Sequence, residues 1–189
     1  FDSYTLINGV RDQTPSPLNN GEYADIQNNA DAPAADLRSR HVWASLPSID
    51  DTNMVDAVVA AGSGISGTAP NYAVNATTFQ TFLDNNAKVF LRKGTYKFSG
   101  PITLKINQRL FGASRSVTQL IPDWLPESSA TFITTANWSG ATTYLGDVEV
   151  VVPKVVGYDN FTALHWRAGA DSLVHVASIG QTGSGFATT

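Results

Sequence analysis

Between Lys88 and Pro122 the chain reads KVFLRKGTYKFSGPITLKINQRLFGASRSVTQLIP, and this stretch limits the fold more tightly than any other. Short apolar or β-branched runs recur in it: Val89-Phe90-Leu91, Tyr96-Lys97-Phe98, Ile102-Thr103-Leu104, Leu110-Phe111 and Gln119-Leu120-Ile121. Turn-forming residues separate them, at Lys93-Gly94, Ser99-Gly100-Pro101, Asn107 and Gly112-Ala113-Ser114. Runs this short, bounded by Gly, Pro, Asn and Ser, predict strands. No segment keeps a 3.6-residue period long enough for a helix. Strands of this length cannot each bury an apolar face alone, so successive turns of chain must stack on one another.

The motif from Val89 to Gly112, VFLRKGTYKFSGPITLKINQRLFG, resembles the first coil of the pectate-lyase-like superfamily of right-handed parallel β-helices. Gly94-Thr95-Tyr96 and Pro101-Ile102-Thr103-Leu104 stand at the family's separation, while Arg92-Lys93 stands where a Pro is common. A second phrase, Thr162 to Val176, resembles a coil of β-helical glycanases similar to β-1,3-glucanases, in which further coils follow. The resemblance implies an all-β, right-handed parallel β-helix segment with an N-terminal arm and short capping helices. It also implies carbohydrate-active relatives: lyases, glycoside hydrolases and polysaccharide-cutting viral tailspikes.

The expected organisation is an extended arm over residues 1–48, capping helices and a loop over 49–87, and stacked coils over 88–189. Tyr4, Leu6, Ile7, Tyr23 and Ile26 give the arm enough apolar surface for part of it to dock. Asp50-Asp51-Thr52 before the apolar run to Ala61, with Gly62 as a stop, predicts one helix. Ala76 to Asn85, with Phe79, Phe82 and Leu83 on one face, predicts a second helix that covers the edge of the first coil. Gly62 to Tyr72 reads as a loop, and Thr135 to Gly146 as a turn-rich excursion. Further strands are expected at Ala130–Thr134, Asp147–Pro153, Ala163–Trp166 and Ser172–Ser178. A chain that opens Phe1-Asp2 without Met and stops short of another coil reads as the N-terminal portion of a longer β-helix.

Composition narrows the function classes. Charged residues make up 15% and the net charge is −4, with no basic run, which argues against a nucleic-acid partner. No apolar run reaches the length of a membrane span. There are no cysteines, so disulfides, thiolate metal sites and a Cys nucleophile are excluded. No serine-hydrolase, zincin or phosphate-loop motif occurs, and neither a metal nor a cofactor is expected. The expected ligand is a polysaccharide or oligosaccharide, met outside the cell or at its surface. The expected macromolecular partner is either the remaining C-terminal coils or an oligomer that covers the open end.

Glycoside hydrolysis needs two carboxyl groups flanking the scissile bond. Asp147 and Glu149 stand two apart in the strand-like run DVEVVVP, which would set their Cβ atoms roughly 7 Å apart on the outer wall. Polysaccharide lyases instead need a base near the uronate α-proton and a cation on the carboxylate. His165, Arg167, Asp171 and His175 form the densest mixed-charge cluster, with His165 and Arg167 outward if Leu164 and Trp166 face inward. Trp124, Trp138 and Tyr144 are the candidate sugar-stacking rings. For each set the plainer alternative is structural: solvated outward acids, a surface ion pair between Arg167 and Asp171, and aromatic lids on the core.

Overall fold

The computed structural model describes residues 46–124, 129–154, 158, 160–169, 171–175 and 177–181. The chain divides into two units at Leu46 and Pro47. The extended arm, its docking residues, the strand-like segment before Leu46 and the tail after Gln181 lie outside the described residues. The protein is sheet-rich, and fourteen strands among the described residues form three sheets.

The run from Lys88 supplies β4 (Lys88–Leu91), β5 (Gly94–Phe98) and β6 (Ile102–Leu104), one to each sheet. β7 (Arg109–Gly112), β8 (Thr118–Pro122) and β9 (Thr131–Thr135) lie beside them in the same order. β10 (Tyr144–Gly146), β11 (Glu149–Val152) and β12 (Thr162–His165) follow, and β13 (Leu173–His175) and β14 (Ser178–Gln181) begin another round. All of these pairings are parallel. The strand expected over Ser172–Ser178 is therefore two strands in different sheets, and the turn-rich excursion ends in β10.

Register turns this alternation into a core. Val89, Leu110, Leu145 and Val174 are aligned across the first sheet. Tyr96, Leu120, Val150 and Ile179 are aligned across the second, and Ile102, Ile133 and Leu164 across the third. Most of these side chains are fully buried in one hydrophobic cluster. At roughly 1.5–3 kcal/mol for each large apolar side chain removed from water, these rows dominate the stabilising side of the fold.

The near end of every sheet is closed. In the first sheet the edge is β1 (Val55–Asp56), only two residues long, paired with Val89 and Phe90. Asp51 and Asp56 pair with Lys88 and Arg92 across that junction. The helix expected over residues 52–61 is thus replaced by a strand and turns. Pairing of Val55 with Val89, and the bond from Ala57 N–H to Phe90 O (3.0 Å), win over the local cap signal. The second sheet ends in a hairpin, β2 (Ile65–Thr68) against β3 (Asn71–Val74), where composition indicated a loop. Gly64, at φ +73°, lets that hairpin approach the helix cap, since a Cβ there would meet Thr78 Cβ at 2.8 Å.

The third sheet is closed by α1 (Ala76–Asn85), at the predicted position. Asn75 caps it, its Oδ1 accepting from Thr78 N–H at 3.0 Å, and Phe79, Phe82 and Leu83 are buried. The far end differs. Val174 and Ile179, the last members of their inward rows, are 38% and 56% exposed.

Candidate functional site

The expected carboxylate pair does not sit on one strand. Asp147 occupies the corner between β10 and β11 with φ +55°, and only Glu149 belongs to β11. The corner forms because Gly146 and Asp147 tolerate backbone shapes that β-branched residues resist, and Asp147 N–H is held by His175 O at 3.0 Å.

Each acid has its own partner. Glu149 is aligned with Gln119 on β8, and Gln119 Nε2 donates to Glu149 Oε2 at 2.8 Å. Thr95 Oγ1 donates to Gln119 Oε1 at 3.4 Å, so Thr95, Gln119 and Glu149 form a polar ladder over the outer face of the second sheet. Asp147 instead accepts from the Tyr144 hydroxyl at 3.5 Å, and that hydroxyl lies 3.1 Å from His175 Nδ1.

Tyr144 reaches both groups because Gly146 has no side chain. The two residues share the outer face of β10, and a Cβ on Gly146 would overlap the Tyr144 phenol. The Tyr144 ring thereby fills a gap in an aromatic column running Phe90, Phe111, Tyr144, His175, with centroid separations of 5.4, 6.3 and 6.2 Å. Tyr144 is buried, so its ring is a wall of the site and not an open stacking face. Burial, then the neighbouring Asp147 charge, pushes its pKa far above the ordinary phenol value.

The mixed-charge cluster is divided by the sheets. His165 ends β12 in the third sheet, whereas His175 ends β13 in the first. Leu164 and Trp166 pack against the core while His165 and Arg167 are exposed, the predicted alternation. Arg167 N–H donates to Thr135 Oγ1 at 2.6 Å, and no ion pair joins Arg167 to Asp171 among the described residues. Trp138 bridges to Ala168, which sets it beside this strip, and it is 58% exposed. Trp124 is half-buried, with Phe132 and Phe161 edge-on at 5.6 Å each, and is part of the core's lid.

Two contributors were not singled out as site residues from sequence: Gln119, which fixes Glu149, and His175 as the partner of Tyr144. The signal for Gln119 was its outward place between Thr118 and Leu120 on a predicted strand. For His175 the only cue was its membership of the charged cluster.

Among the described residues no group of His, Asp and Glu is arranged to hold a metal, and no helix is long and apolar enough to cross a membrane. No family model, curated protein or solved structure matches the chain.

Proposed function

We propose that the three parallel sheets are the walls of a right-handed parallel β-helix of the pectate-lyase-like kind, belonging to a secreted or cell-surface carbohydrate-active protein that cleaves a polysaccharide. Glycoside hydrolysis is favoured over lyase chemistry. The observation that carries this reading is the corner at Asp147. It gives two nearby outward carboxyl groups unlike surroundings, one against Tyr144 and His175, the other against a Gln amide. Acid and base roles on a glycosidic bond require that kind of difference. Trp138, His165 and Arg167 supply an exposed aromatic and polar strip for sugar residues, with Asp171 in the same circuit.

A second reading, a β-helix that binds glycan without cutting it, is favoured by one observation. Glu149 and Asp147 are both already hydrogen-bonded to protein side chains. In either case the exposed inward residues Val174 and Ile179 call for further coils, or another subunit, over the far end.

Incubation with a panel of glycans separates the readings. Reducing-sugar release marks hydrolysis, ultraviolet absorbance of unsaturated uronates marks a lyase, and retention on a glycan column without either marks a binder. Hydrolysis that is lost in Asp147→Asn or Glu149→Gln supports the assignment; full activity in both variants moves the site elsewhere.

A further inference from the structure

We infer that His175 is held in the tautomer that keeps its proton on Nδ1, so that Nε2 is an unprotonated general base, with Tyr144 and Asp147 acting as its positioning residues. This rests on the proposed function only for the substrate, not for the geometry.

A neutral imidazole has one donor nitrogen and one acceptor nitrogen, and its neighbours decide which is which. Here the neighbour of Nδ1 is a hydroxyl, which has a single proton to give. Asp147 Oδ2, an acceptor only when ionised, lies 3.5 Å from that hydroxyl and draws the proton toward itself. The Tyr144 oxygen is then left to accept, and the group 3.1 Å away that can donate to it is His175 Nδ1–H. The proton order is His175 Nδ1–H to Tyr144 O, and Tyr144 O–H to Asp147. Carboxylate, hydroxyl and imidazole form a chain of one polarity, which strengthens each link in a half-buried setting.

Three features of the backbone build this chain. Parallel register sets His175 opposite Gly146. The missing side chain at Gly146 gives the phenol its place. The bond from Asp147 N–H to His175 O ties the corner to the histidine's own strand. His175 is half-buried and lies on the last described strand of its sheet, whose outer edge has no paired strand among the described residues.

The chemistry offered is removal of a proton from an oxygen acid, a water or a sugar hydroxyl. The bond broken is O–H and the bond made is N–H at Nε2. The positive charge that results is shared along the chain toward Asp147, and no oxidant or reductant takes part.

The test is a long-range proton–nitrogen NMR correlation of the histidine side chains in the full chain. It is run about two pH units above the ordinary imidazole pKa, so that the ring is neutral. The His175 signals are identified by their disappearance in His175→Gln. The expected result is a dominant Nδ1–H form for His175, with that dominance lost in Tyr144→Phe. Asp147→Gly is the second variant, because glycine accepts the left-handed corner without strain. With the carboxylate gone, the Tyr144 proton turns toward Nδ1 and the tautomer inverts.

A dominant Nε2–H form in the unaltered protein, or an unchanged tautomer in both variants, overturns the inference. If a glycan is hydrolysed, His175→Gln is expected to reduce turnover 10²-fold or more, on the order of a lost general base. An Nδ1–H tautomer in a protein that cleaves no glycan supports the positioned base and counts against the proposed function alone.

Discussion

Gln80 of the helix forms two hydrogen bonds to the backbone of Thr103. Its Oε1 accepts from Thr103 N–H at 2.7 Å, and its Nε2 donates to Thr103 O at 3.0 Å. Thr103 is the middle residue of β6, the edge strand of the third sheet, and these are the groups a further strand would use. One side-chain amide thus imitates a strand. It closes an edge that would otherwise be open to pairing with another chain.

Removing that amide should be felt at the edge. Gln80→Ala is expected to cost about 1 kcal/mol, because water can take up part of both bonds at an exposed site. Gln80→Glu should cost more, since a carboxylate cannot donate to Thr103 O and also faces Asp84, which Gln80 now bonds at 2.8 Å. Denaturant unfolding gives the energies. Amide exchange should accelerate at Thr103 and much less at Leu120 in the middle of the second sheet. Equal protection of Thr103 in all three proteins would show that the amide does not close the edge.

Gly146 is the second point of leverage. An added methyl would overlap the Tyr144 phenol, and a buried ring has little room to yield. Gly146→Ala is expected to lose roughly 1–3 kcal/mol, the usual range for overpacking. The same change should separate Tyr144 from His175, seen as a shifted His175 ring signal. A neutral substitution would mean that the Tyr144 ring does not lie over Gly146.

Stability should fall in strong alkali. Burial is the first cause raising the pKa values of both Tyr96 and Tyr144, so the folded state holds their protons more tightly than the unfolded chain does. Groups of this sign contribute fully below the unfolded tyrosine value, about 10, and their contribution is lost as pH rises toward the folded value. The denaturation midpoint should therefore decline with pH above about 10. The decline should be shallower in Tyr144→Phe, provided that variant stays folded. A slope identical to the parent's would show that Tyr144 ionises as freely in the folded protein as in the unfolded one.

Much of the fold was legible where turn residues and β-branched residues alternate. The five runs between Val89 and Ile121 all became strands, because each is bounded by residues that cannot continue one. The capped helix at Ala76 was equally plain. Two edges were not, because their strands are decided by a distant partner. Val55 extends only since Val89 lies beside it, and nothing local separates it from the first turn of a helix.

The site was harder to read for the same reason. Asp147 and Glu149 look like neighbours on one strand until the chain turns at φ +55°. The contact between Tyr144 and His175 spans 31 residues and depends on register. His165 and His175, ten positions apart in the sequence, end in different sheets.

The central claim is that successive circuits of the chain stack in register, one strand per sheet per circuit. It can be measured directly, because the protein contains no cysteine and introduced pairs are the only thiols. Spin labels would be placed at Thr95 with Gln119, with Glu149 and with Ser178 in turn, positions aligned along the outer face of the second sheet. The distances should grow in equal steps of about 4.8 Å, the spacing between paired strands. Distances that do not rise in that order would contradict the stacked arrangement, and with it the proposed walls and the corner at Asp147.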